Sequence, residues 1–269
     1  MTASDNNFAA AFAPESECPI RSIGIIGYGK FGKHVAEDLL PKFAPHVDVK
    51  IYSRGAIGGR FVSFDEVAAC DMIFLTVPIR SIEPVLLELL NQHTLRREAI
   101  IVDVASVKQH TVDLFRRHIG DRCRYLATHP MFGPESFKKR GGNVAGFRIV
   151  VCDRTIPDGT YIPLKGFLTN CGFNVVEVPA QKHDEHLAGT LFLTHYTGQI
   201  VYRAEFNRTI IDTVSFEYLM NAVDSVSNDT ELFEDVYRYT TKECDEVLAR
   251  FKQGQEVVDC RLAAIKASV

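Results

Sequence analysis

The sequence predicts an α/β fold: a doubly wound, mostly parallel Rossmann-type sheet followed by an all-helical second domain. Three observations predict it. Residues 23–26, Ile-Gly-Ile-Ile, run straight into Gly27-x-Gly29-x-x-Gly32 and then into a segment with apolar residues at helical spacing. Short apolar runs then alternate with helical stretches as far as residue 178. Beyond Pro179 the texture changes, and residues 181–207, 214–226 and 231–264 have helix-forming composition without strand-like alternation. The expected organisation is a disordered leader over residues 1–20, a dinucleotide-binding domain over 21–180 and a helical substrate and dimerisation domain over 181–269.

The first strand covers residues 23–26, and the helix over 33–40 gathers Val35, Ala36, Leu39 and Leu40 on one face. Between them Gly27 allows a tight turn, Gly29 lets the backbone approach a pyrophosphate, and Gly32 lets helix and strand pack closely. N–H groups at the helix start then face the phosphates, helped by the helix dipole. Pro41 and Pro45 mark a break before a second strand over 47–52. That strand ends in Ser53-Arg54-Gly55, about 20 residues past the last fingerprint glycine, where an NAD site carries an acidic side chain for the ribose. No acid is present. Ser53 and Arg54 instead suit the 2′-phosphate of NADP, because arginine binds phosphate through paired, charge-assisted hydrogen bonds; an exposed turn arginine has the same sequence signature.

A short helix follows over 64–70, then a fully apolar strand over 72–77 that Pro78 ends. Buried parallel strands read this way because helices cover both faces. A helix over 82–90, a strand over 99–104, a helix over 108–118 and a short strand over 124–127 continue the alternation. Later strands are expected over 147–152 and 174–178, with a helix over 161–170 between them. A six-strand nucleotide domain capped by helices carries ligands at the carboxyl ends of its strands. Thr76, Ser106, His129 and the first long helix should therefore line the cleft.

Composition narrows the function. Net charge is −4 with a pI near 6.1, and no Lys/Arg block stands out, which excludes nucleic acid as the main partner. Seven cysteines, odd in number and never spaced CxxC, fit reduced thiols in a cytoplasmic protein. Residues 1–19 have neither the basic nor the apolar region of a secretory signal, and no uncharged apolar stretch reaches membrane-spanning length. His183, His186 and His195 invite a metal reading, but no further ligand has convincing spacing, and no metal is expected. Asp184 has a simpler role as an anion in the first turn of a helix.

Ser106 follows the strand end in Asp103-Val104-Ala105-Ser106-Val107-Lys108, and His129 follows the next strand. Dehydrogenation of an alcohol needs a group to take the hydroxyl proton as hydride leaves the carbon. Histidine suits this because its reference pKa lies near neutrality. Pro130 and Pro134 stiffen the loop that would hold the ring. The other readings are a loop histidine satisfied by backbone and a helix-capping serine.

These motifs occur in an order that resembles the arogenate/prephenate dehydrogenase family of tyrosine biosynthesis, plant-type members above all. The matching stretches are the fingerprint Gly27-Tyr28-Gly29-Lys30-Phe31-Gly32, Thr76-Val77-Pro78, the Asp103–Lys108 run, the His-Pro-Met-Phe-Gly-Pro-Glu-Ser run from His129, Lys182-His183-Asp184 and Phe192-Leu193-Thr194-His195. The resemblance implies that the fingerprint residues, Ser53, Arg54, Thr76 and Val77 hold NADP. It implies that His129 bonds the ring hydroxyl, that Ser106 orients it, and that Thr194 and His195 meet the substrate. The reaction it implies is oxidative decarboxylation, in which hydride goes to nicotinamide, the ring carboxylate leaves as carbon dioxide, and the ring aromatises. Bacterial members carry an arginine on a helix of the second domain that grips the side-chain carboxylate. Asn221 stands at that place here, so the cation is expected to be missing. Asp224 nearby is the expected partner of the arogenate ammonium, which makes arogenate the expected substrate, prephenate the alternative and a homodimer the expected assembly. Another two-domain NADP-dependent reductase, or an NADP-sensing protein without turnover, are the remaining readings.

Overall fold

The computed structural model describes residues 20–56 and 58–268, so the expected leader lies outside the described residues up to residue 19. The chain forms two compact units, the first ending at Gln181 and the second beginning at Lys182.

The first unit is built on a seven-stranded sheet in the order β2-β1-β3-β4-β5-β6-β7, one strand for each of the seven apolar runs read as strands. The strands are β1 (Ser22–Ile26), β2 (Asp48–Tyr52), β3 (Met72–Leu75), β4 (Ile100–Asp103), β5 (Arg124–Pro130), β6 (Arg148–Arg154) and β7 (Asn174–Glu177). β1 to β5 are parallel neighbours, β6 runs antiparallel to β5, and β7 is parallel to β6. The central strands are apolar on both faces: Ile25, Ile73 and Ile101 are wholly buried, each contributing about 1.5–3 kcal/mol. Chain order reverses between β1 and β3, and their carboxyl ends form the crevice where such sheets bind ligands.

Helix α1, residues 30–43, starts three residues earlier than expected and continues past Pro41. It widens into a π-helix over Val35–Leu39, where the Leu40 N–H reaches back to the Val35 carbonyl. This shift of the ladder lets the helix take in a proline that would otherwise end it. Next come α2 (Phe64–Ala68), α3 (Ile82–Leu90), α4 (Gln109–His118), α5 (Pro134–Lys139) and α6 (Asp158–Asn170). Ser63 caps α2 in a reciprocal capping box with Glu66.

β5 departs most from expectation. It runs through Thr128, His129 and Pro130, because β6 pairs with them across a register shift between Ala127 and Thr128. His129 therefore belongs to a strand, opposite Val150, and not to a loop. Phe132, just beyond, stacks on Phe147 at 4.8 Å and on Phe173 at 5.6 Å, which anchors the segment more firmly than its prolines alone.

The second unit is helical, with α7 (residues 180–203, π-helical over Ala188–Phe192), α8 (Val214–Val226), α9 (Thr230–Tyr239) and α10 (Thr241–Ala267). The helical stretch over 231–264 is divided at Thr240, whose backbone leaves helical geometry and whose hydroxyl donates to the Val236 carbonyl at 2.6 Å. α7 and α8 pack closely at Gly198, where a Cβ would strike Val226, and Gln199 donates to the Val226 carbonyl at 2.9 Å. No helix among the described residues is long and apolar enough to cross a membrane.

Candidate active site

The glycine turn is assembled by two strand ends. Gly27 has φ +104°, and a Cβ there would come within 2.6 Å of the Thr76 carbonyl oxygen. The Thr76 hydroxyl donates to the Gly27 carbonyl at 2.8 Å and its N–H to Ile26 at 2.9 Å, tying β3 to β1. Val77 packs beside Gly27, while Gly32 faces the Gly27 carbonyl and the Thr76 hydroxyl with no room for a side chain. Gly29 is different: a Cβ there would meet nothing within 4 Å, and no side chain caps the helix N-terminus that it precedes. The result is open space before the N–H groups of a helix start that no side chain caps, which fits a pyrophosphate.

The rest of the fingerprint is put to local use. Phe31 lies against His34 and Phe132, and Lys30 is exposed. The Tyr28 hydroxyl donates to Glu37, and Arg60 donates to both. Tyr28 and Arg60 together hold the Glu37 carboxyl below the usual carboxylate range. Arg60 also lies over the Tyr28 ring, 5.7 Å from its centroid. Sequence reasoning missed this cluster, since Arg60 is distant in sequence from the fingerprint and follows no pattern. Ser53 is half-buried and Arg54 exposed just after β2, whose Tyr52 carbonyl accepts the Gly27 N–H at 2.9 Å.

Ser106 lies just beyond β4 and His129 near the end of the neighbouring β5, two parallel strands whose mutual pairing ends at Asp103 and Ala127. His129 is buried and Ser106 half-buried. Beneath them lies a buried ion pair that the sequence reading passed over. Asp103 and Lys108 bond to each other with both side chains wholly buried. Burial pushes the Asp103 carboxyl up, against the pull of the Lys108 ammonium and the Ala105 N–H. The available signal was an acid closing an otherwise apolar strand, with a lysine five residues on.

In the second unit, His195 is buried on α7, stacked parallel to Phe233 at 6.4 Å, and its Nδ1 has no hydrogen-bond partner. Burial lowers its imidazole pKa, with Asp229 pulling the other way. Thr194 is exposed, its hydroxyl donating to the Thr190 carbonyl at 2.9 Å. Asp184 is not in the first turn of α7; it is buried and bonded to His183 at 2.8 Å, whereas His186 is exposed. Nor does Asn221 leave α8 without a cation. Arg208 reaches it at 3.1 Å and pairs with Asp224 at 2.9 Å, beside a cavity of about 390 Å³ lined also by Asp212 and Glu217.

Comparison with known proteins gives the family and the fold. The nucleotide-binding domain family of prephenate dehydrogenase matches residues 46–147, a range that includes Thr76, Ser106 and His129. Arogenate dehydrogenase 1, chloroplastic, of Arabidopsis thaliana is 31% identical over 259 residues, covering 89% of this chain and 39% of that protein. Arogenate dehydrogenase 2, chloroplastic, of the same organism is 31% identical over 232 residues, covering 81% of this chain and 63% of that one. The chain belongs to the arogenate/prephenate dehydrogenase family. It spans less than two thirds of the length of either Arabidopsis relative. The fold of this family member matches that of prephenate dehydrogenase from A. aeolicus, solved with hydroxyphenyl propionate and NAD+, at a TM-score of 0.68. The match covers 94% of this chain and 93% of that one at 16% identity.

Proposed function

We propose that the protein catalyses the NADP-dependent oxidative decarboxylation of arogenate to tyrosine. The observation that carries the reading is the shared rim of the sheet: an open glycine turn at the β1 and β3 ends, with Ser106 and His129 at the β4 and β5 ends. Gly27, Gly29, Gly32, Thr76 and Val77 would hold the dinucleotide, with Ser53 and Arg54 at its 2′-phosphate. When bound, it supplies the oxidant that accepts hydride from the ring. His129 takes the proton of the ring hydroxyl, and Ser106 orients that hydroxyl. Loss of carbon dioxide and aromatisation make the step effectively irreversible, so the protein mainly positions the ring and accepts one proton.

The absence of an acid after β2 and the exposed Arg54 support NADP. The Arabidopsis relatives, both arogenate dehydrogenases by name, support arogenate. Prephenate is the second reading, favoured by the Arg208 guanidinium at Asn221, since its pyruvyl group gains from a cation. Thr194, His195 and Asp224 are the proposed substrate contacts. Steady-state turnover with both substrates against both cofactors tests all of this, and no reduction of either cofactor with either substrate overturns it.

We also propose a homodimer through the helical unit, in the reducing cytoplasm that six free thiols among the described residues would suit. Residues 252–267 of α10 are exposed all round, although Val257, Val258, Leu262 and Ile265 are apolar. A helix end of this kind normally owes its stability to packing. Leu262→Asp should yield monomers in sedimentation analysis; an unmodified protein already monomeric at micromolar concentration would refute the assembly.

A further inference from the structure

β4 pairs with β5 only as far as Asp103 opposite Ala127, yet β5 continues to Pro130. On the β4 side, side chains take over where the ladder stops. The Thr128 hydroxyl donates to the Asp103 carbonyl at 2.7 Å. The Lys108 ammonium donates to the Thr128 carbonyl at 2.6 Å and to the Asp103 carboxylate. That carboxylate also accepts the Ala105 N–H at 2.9 Å. Both charged ends thus hold backbone atoms, and each held residue immediately precedes a candidate catalytic residue: Ala105 before Ser106, Thr128 before His129.

We propose that the Asp103–Lys108 pair is a positioning device that sets Ser106 and His129 relative to each other. Stability alone is a poor reason for such a pair. Apolar residues of equal volume commonly hold a core as well as a buried ion pair or better, because desolvation offsets the Coulomb attraction. What an apolar pair cannot do is bind a peptide N–H on one strand exit and a peptide carbonyl on the next. Two strand ends with no ladder between them acquire a common reference through one acid and one base. Lys108 also opens α4 without capping it, its ammonium being turned inward.

The proposal rests on the assignment of Ser106 and His129 given above. The test is the double variant Asp103→Asn with Lys108→Met, which leaves no lone buried charge. It should keep its melting temperature and its Kd for NADP within about twofold, while kcat falls about 10–100-fold and KM changes little, as expected for a misplacement near 1 Å. The His129 imidazole resonance, identified by its loss in His129→Asn, should shift in the double variant. A kcat within about twofold of the unmodified protein would overturn the proposal, and so would loss of folding or cofactor binding in step with kcat, since that marks a purely structural role. If the unmodified protein turns over neither arogenate nor prephenate, the functional reading fails by itself. The resonance still decides the pair in that case, because an unmoved His129 signal refutes positioning with or without turnover.

Discussion

The Arg208 guanidinium lies 2.9 Å from the Asp224 carboxylate, so the proposed gate residue already has a cation beside it. Both side chains are about half exposed, and the pair itself contributes no more than about 1 kcal/mol to stability. Its effect should therefore appear in specificity. Asp224→Asn removes the anion offered to the arogenate ammonium and releases Arg208 toward a pyruvyl group. It should lower kcat/KM for arogenate about tenfold to hundredfold and raise it for prephenate. Arg208→Gln should lower prephenate turnover instead. An unchanged ratio of the two kcat/KM values in both variants would remove Asp224 and Arg208 from the site.

His129 is the proposed proton acceptor, held within β5. His129→Asn keeps a similar shape and a hydrogen-bonding side chain but cannot take the proton. It should lower kcat by about 10²–10⁴-fold with the Kd for NADP nearly unchanged. Turnover close to that of the unmodified protein would exclude the assignment.

The two ends of the cofactor site can be probed separately. Gly29 has φ −73° and open space around its missing Cβ, so Gly29→Val should fold normally. Its side chain would occupy the pyrophosphate position, and affinity for NADP and NAD should fall together, by at least about tenfold. Arg54→Ala should weaken NADP by about 1.5–3 kcal/mol and leave NAD almost untouched. Calorimetry with both cofactors separates the cases: a Gly29→Val protein that binds normally rules out the turn, and an Arg54→Ala protein that weakens both equally rules out the 2′-phosphate contact.

His195 should make stability pH-dependent. Burial lowers its folded-state pKa below the unfolded value of 6.5, so below that pH the unfolded chain binds more protons than the folded one. Stability is fully present above pH 6.5 and falls as the pH drops through the folded pKa below it. Denaturation midpoints at neutral and mildly acid pH should differ less in His195→Gln than in the unmodified protein. Equal acid sensitivity in the two would show that the imidazole is not the group responsible.

Apolar periodicity is local, and what rests on it was legible. The runs ending in Ile26, Leu75 and Asp103 are strands because burial on both faces demands such sequences. The limits of α3 (Ile82–Leu90) and α8 (Val214–Val226) were legible for the same reason. β5 was misread at its end because Thr128 and His129 are polar and a proline follows. Nothing local announces that an antiparallel neighbour will go on pairing with them. The helix through Pro41 was misread because a π-shift in the ladder leaves no composition signature.

The sequence by itself determined the order of strands and helices, the glycine turn after β1 and the family of the chain. Each of these depends on residues close together or on motifs kept in order. Only the tertiary structure decided that Lys108 turns inward to join Asp103 to the Thr128 carbonyl, that Arg60 closes on Tyr28 and Glu37, and that Arg208 stands at Asn221 and Asp224. A charged side chain has no periodic pattern, and lysine or arginine in a sequence reads as solvated surface. Whether it is buried, and against which partner, depends on backbone groups that other segments bring to it, and those positions exist only once the sheet and the helices have packed.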